Sequence, residues 1–176
     1  LSYLANLNLF VPVADEHSVN LALMGFYGTN DPDGHDQSRI GSVDMIYKWK
    51  PHRQGEYTSF LLGGQAFFGR HEFPVALGGH DSTSPVGYSA WAQYQLSARL
   101  YLGVRWDETD FLEDDASDRK RISPYVTWYT SEFFRSRFTW QHTWSDDPLQ
   151  DDLDSFLVEL VVIFGAHPPE PFWVNK

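Results

Sequence analysis

The chain has 176 residues, 42% apolar and 16% aromatic, enough for one folded domain and too rich in rings for a disordered segment. Its formal charge of -11 argues against a nucleic acid partner, whose phosphates would be repelled, and favours cations at its surface. No cysteine means no disulfide framework, and the absence of any apolar run near about eighteen residues excludes a membrane-spanning helix but not a β-barrel, whose strands are only half apolar.

The chain opens at Leu1 inside an apparent strand, with no Met and no charged-then-apolar leader, and so reads as a mature or truncated product. Leu1 to Val13 alternates Tyr3, Ala5, Leu7, Leu9 and Val11 with Asn6, Asn8 and Phe10, and turns at Ala14-Asp15-Glu16-His17. Val19 to Tyr27 repeats the pattern and ends in a polar loop from Gly28 to Asp36. Ile40 to Trp49 sets Val43, Met45, Tyr47 and Trp49 against Ser42, Asp44 and Lys48, then closes at Pro51 to Gly55. Phe60 to Phe68 precedes a stretch rich in Gly and Pro, Gly69 to Pro85, read as a long loop.

Val86 to Leu96 alternates and turns at Ser97 to Arg99. Leu100, Leu102, Val104 and Trp106 oppose Tyr101, Gly103, Arg105 and Asp107, leading to an acidic loop from Glu108 to Arg119. Ile122, Pro124, Val126 and Trp128 oppose Ser123, Tyr125, Thr127 and Tyr129, with a turn at Ser131-Glu132. Phe134, Phe138 and Trp140 oppose Arg135, Arg137, Thr139 and Gln141, before an Asp-rich loop from Ser145 to Asp154. The last strand puts Phe156, Val158, Leu160, Val162 and Phe164 on one face, and Glu159 among Leu157, Val161 and Ile163 on the other.

About nine strands in meander order, with short turns and long polar loops alternating, specify one all-β antiparallel up-and-down domain over residues 1–176. Alternation alone does not say which face is wet. Strands of roughly nine to eleven residues match a tilted bilayer crossing better than the soluble norm. The rings of Tyr27, Trp49, Phe68, Trp106 and Trp128 gather near strand ends on the apolar face, as interfacial girdles do. Asp44, Gln65, Gln93 and several arginines lie well inside strands on the other face, as a watered lumen allows. A transmembrane β-barrel is therefore expected, with short turns at one end and long loops at the other.

Ile46-Tyr47-Lys48-Trp49, Gly103-Val104-Arg105-Trp106-Asp107, the segment Arg135 to Gln141 and the closing Phe164-Gly165-Ala166-His167 run to Phe172 resemble the C-terminal half of porin-like outer-membrane proteins of Gram-negative bacteria. Members are labelled zinc-regulated outer-membrane receptor or phosphate-selective porin-like protein. The resemblance implies a segment of a larger barrel, of about twelve to sixteen strands. It also implies an outer-membrane location with a periplasmic C-terminus, extracellular long loops, and Phe164 and Phe172 as the end recognised by the assembly machinery. Bilayer lipid, lipopolysaccharide, small solutes or ions, and a protein partner at the cell surface are the partners that follow.

No Gly-x-Ser-x-Gly or other nucleophile setting occurs, so no enzyme is expected, a hydrolase built on His71, His80 and loop carboxylates being the weaker alternative. Arg105, Arg121, Arg135 and Arg137 share a face with Tyr101, Tyr125 and Glu159. They form either a guanidinium ladder that guides anions or wall cations paired with Asp44, Asp107 and Glu159. The acidic loops, from Asp31 and Asp33 through Glu113 to Asp154, form a solvated rim able to hold Ca2+ or Mg2+, or, with His35, His71 and His80, a Zn2+ site. No resident cofactor is otherwise expected. The function expected is passive passage of small solutes or ions. The alternatives are a structural barrel with a filled lumen that holds a cell-surface complex, and a zinc-uptake receptor.

Overall fold

A computed structural model describes residues 1–29, 36–52, 57–75, 79–110, 118–131, 133–146 and 151–164. Its strands are β1 (Tyr3–Ala14), β2 (His17–Thr29), β3 (Gln37–Trp49), β4 (Ser59–Val75), β5 (Gly79–Thr83), β6 (Val86–Gln95), β7 (Leu100–Asp110), β8 (Asp118–Ser131), β9 (Phe134–Ser145) and β10 (Leu153–Val162). They form one antiparallel sheet in the order β1-β2-β3-β4-β6-β7-β8-β9-β10, with β5 paired to β4. Chain order and sheet order coincide because each short connection reverses the chain beside the strand just completed.

The stretch from Gly69 to Pro85 is not a loop. β4 continues to Val75, and β5 pairs with its upper half in the register that β6 keeps with the lower half: His71 faces Thr83 as Phe68 faces Val86. The Gly69 amide donates to the Pro85 carbonyl at 2.9 Å, so the ladder crosses the break. β5 and β6 thus act as one strand, interrupted where Pro85 has no N–H to offer. The nine expected strand positions are all present, and the tenth element is the upper part of a hairpin arm. The acidic loop is also shorter than expected, since β7 reaches Asp110 and β8 starts at Asp118.

Register assigns the faces. Directly opposed residues share a face, so the ladder Leu23, Val43, Ala66, Tyr88 is apolar, and the neighbouring ladder Asp44, Gln65, Ser89, Asp107, Arg121, Thr143 is polar. The two faces differ in exposure in the opposite sense to a water-soluble sheet. Leu23, Val43, Met45, Leu102, Val104, Phe138 and Leu160 are exposed, while Ser42, Ser59, Ser89, Gln95, Ser123 and Thr127 are buried on the polar side. Among the described residues the only buried large apolar side chains are Leu61 and Tyr101, both on the polar face.

Nothing covers the apolar face, because every pair of strands in contact is a hydrogen-bonded pair of neighbours and there is no second layer among the described residues. Leaving a Leu, Val or Phe in water forgoes about 1.5–3 kcal/mol each. So many contiguous exposed apolar side chains exceed the few hundred Å2 of apolar patch that a water-soluble surface usually carries.

The sheet is open, consistent with part of a larger barrel. β1 and β10 lie at opposite ends of a path of alternating directions and run the same way. Antiparallel closure therefore requires an odd number of further strands between them.

Candidate functional site: the polar face

The polar face is organised as rows that cross the sheet. One row joins Ser59, Gln95, Tyr101, Thr127, Arg137 and Glu159, each opposite the next. The Ser59 hydroxyl donates to Gln95 Oε1 at 3.0 Å, and Arg137 Nε donates to Thr127 Oγ1 at 2.9 Å. Ser59, Gln95, Tyr101 and Thr127 are almost fully buried, and the Tyr101 ring meets Tyr129 edge-on at 5.4 Å. This end of the face, near the short turns, is tightly filled.

Two glycines make room for rings. A Cβ on Gly63 would lie 2.3 Å from Trp91 Cε2, and one on Gly103 would lie 2.2 Å from Tyr125 Cζ, so each ring lies flat on the neighbouring strand's backbone. Tyr125 is further held by its hydroxyl, which donates to Gln93 Oε1 at 3.2 Å, and by the Arg137 guanidinium 4.5 Å from its ring centre. The result is a layered contact of backbone, phenol and guanidinium across β7, β8 and β9.

The four arginines expected on one face are there, and each is engaged. Arg105 Nε donates to Asp107 Oδ1 at 2.7 Å, and Arg121 Nε approaches Asp107 Oδ2 at 3.5 Å, so one carboxylate bridges two guanidiniums. Arg135 donates to Glu159, and Arg137 lies on Tyr125 and Thr127. Asp44 is not one of their partners. It accepts from the Ser42 hydroxyl at 3.1 Å and shares a row with Arg121 from which β4, β6 and β7 separate it. Arg105 and Arg121 nevertheless remain about half exposed, with side-chain exposures of 49% and 42%.

Near the long-connection end these two arginines border a cleft of about 390 Å3 that also touches Ser38, Ile40, Phe67, His71 and Pro85. The cleft is a product of register and glycine placement, Gly69 and Gly87 lying in its floor, and neither signal is readable from periodicity.

The expected metal ligands are not gathered. His71 Nδ1 lies 2.9 Å from the Ser38 hydroxyl, and His80 Nδ1 lies 2.5 Å from Asp36 Oδ1. Register sets His71 opposite Thr83 and His80 opposite Pro74, on the two faces of the hairpin arm. His35, Asp31, Asp33, Glu113 and Phe172 lie outside the described residues, and no group of three His or carboxylates able to hold a metal occurs among the described ones. Phe164, just past β10, is exposed.

On the apolar face the five marked rings fall in two rows. Tyr27, Phe68 and Trp106 lie toward the long connections, Trp49 and Trp128 toward the short ones. Sequence reading missed Trp144 and Tyr3 as their neighbours: Trp106 packs edge-on to Trp144 at 5.4 Å, and Tyr3 stacks with Tyr27, while His142, read as interfacial, lies 5.0 Å from Trp144. At the opposite row Trp49 Nε1 donates to Glu16, and His17 is 2.7 Å from the Tyr47 hydroxyl. These rings carry polar tips with partners at the band's edges.

Just above the upper row, the Lys120 ammonium faces Asp118 at 2.8 Å, Asp146 at 3.7 Å and Glu108 at 3.9 Å. Hydrogen bonding from Lys120 and Asp146 holds the Asp118 carboxyl below its ordinary range, and the shared bond with Asp118 pushes the Asp146 carboxyl up. Comparison with known proteins returns no matching family model, curated protein or solved structure.

Proposed function

We infer that this chain forms part of the wall of a porin-like outer-membrane barrel that passes small solutes or ions. The observation that carries the reading is the inverted sheet, with its apolar side chains exposed and its polar ones buried. On β3 the apolar face runs from Arg39 to Trp49, roughly ten residues and about 33 Å along the strand. A tilt of about 40° turns that length into a band about 25 Å tall, the height of a barrel's lipid-facing belt. Rings with polar tips border it on both sides. The hairpin arm of β4 and β5 rises past the upper row into water, on the side taken as extracellular, where lipopolysaccharide would surround it.

The polar face then lines the lumen, and Arg105, Arg121, Arg135 and Arg137 set its charge. Each is neutralised in part by Asp107, Glu159 or a ring, so the preference for anions is mild. Changing Arg135 and Arg137 to Gln leaves Glu159 unopposed. The reversal potential of the protein in planar bilayers under a salt gradient is expected to move toward cation selectivity. An unmoved potential would discard these arginines as selectivity determinants.

A second reading is a barrel whose lumen is filled, acting as a scaffold for a cell-surface complex. Both sheet edges favour it, since Leu4 and Phe10 on β1 and Leu153 and Leu157 on β10 are exposed apolar side chains on the polar face. Steady conductance supports the channel, and a silent, correctly folded protein supports the scaffold.

A further inference from the structure

We propose that the cleft bordered by Arg105 and Arg121 is a subsite for a small organic monoanion, a carboxylate with an apolar body. The assignment rests on the reading of the polar face as a wetted lumen.

Volume and charge both select this class. About 390 Å3 lies at the small end of ligand pockets and suits a body of a few carbons or one ring. On the polar face two arginines, Arg105 and Arg121, border it against one carboxylate, Asp107, which makes it a spot of net positive charge in a chain of charge -11. That carboxylate is already occupied, since Asp107 bridges the two lumenal guanidiniums.

A single surplus charge matches a monoanion and opposes a phosphate dianion, which would sit beside Asp107 without a matching excess of cations. Arg105 and Arg121 are half exposed although paired, so their planar forks can take a carboxylate while still touching Asp107. The opposite wall, Ile40, Phe67 and Pro85, is apolar and receives the rest of the molecule. Ser38 and His71, hydrogen-bonded to each other, supply polar groups at the cleft's margin. Asp107 is the specificity device. It competes with any bound anion for the same guanidiniums and keeps the affinity low, as a site on a conduction path requires.

Benzoate, benzamide and inorganic phosphate are the probes, titrated by NMR into the full chain folded in detergent micelles. Benzoate is expected to bind weakly, benzamide not measurably, and phosphate not to displace benzoate. Arg105→Gln and Arg121→Gln should each weaken binding about tenfold, Arg121→Lys only a few-fold, and Asp107→Asn should tighten it several-fold by removing the competitor. No benzoate binding, equal binding of benzamide, displacement by phosphate, or binding untouched by all four substitutions would overturn the proposal. A protein that binds benzoate but never conducts keeps the subsite and loses the channel. A conducting protein that ignores benzoate does the reverse.

Discussion

Val43→Arg is expected to destabilise the folded chain in lipid by about 2–4 kcal/mol, and Gln65→Arg to leave it nearly unchanged. The two positions are neighbours on adjoining strands and differ chiefly in face. Val43 lies mid-strand between Leu23 and Ala66 and is 47% exposed, while Gln65 lies between Asp44 and Ser89. Were the apolar face in water, an arginine at a half-exposed position would change stability by only about 0.5 kcal/mol. In hydrocarbon its charge has no solvation, whereas at position 65 it meets the Asp44 carboxylate. Denaturant titration of both variants from bilayers separates the cases. A tolerated Val43→Arg would contradict a lipid-facing surface.

Gly103→Val should lower stability by about 1–3 kcal/mol through overpacking. The added atoms enter space that the Tyr125 ring holds, a Cβ alone falling 2.2 Å from Cζ. The ring must swing away, and its hydrogen bond to Gln93 and its contact with Arg137 go with it. Tyr125→Ala removes the obstacle. Gly103→Val in a Tyr125→Ala background is therefore expected to cost much less than in the native chain, a non-additivity that urea titrations of the four proteins measure. Additive costs would mean that the ring and the glycine are independent. Gly63 and Trp91 offer the same test on β4 and β6, with a Cβ placed 2.3 Å from the indole.

Much of this architecture is legible in the sequence, because a long strand with two unlike faces writes its period into residues that must alternate. Leu21, Leu23, Val43 and Met45 had to be apolar, and Asp44 could be charged between two of them only if the faces differ. The same demand explains where reading stopped. Above the aromatic row both faces are polar, so His71, Glu72, Asp81 and Ser82 carry no alternation, and Pro74 and Pro85 read as turns although the ladder runs past both. Alternation alone left the wet face open; strand length, ring placement and charged residues inside strands pointed to an apolar outer face, and among the described residues no second layer covers that face.

The site was legible in part for a related reason. Parity put Arg105, Arg121, Arg135 and Arg137 together, since face depends only on position within a strand. Their partners depend on register between strands. Hence Asp107 bridging two guanidiniums, and Tyr125 caught between Gly103 and Arg137, emerge only with the sheet. Of the expected group His35, His71 and His80, a difference in parity sends His71 and His80 to opposite faces of the arm, while His35 lies outside the described residues.

The orientation of the sheet can be read directly by thiol labelling along β9, since a chain without cysteine gives no background. Single cysteines at Arg137, Phe138, Thr139, Trp140 and Gln141, in protein folded into lipid vesicles, are treated with a small charged maleimide. Positions 137, 139 and 141 are expected to react and positions 138 and 140 to stay protected, because water reaches only the polar face. Labelling of 138 and 140, or uniform labelling along the strand, would contradict an apolar face set against lipid.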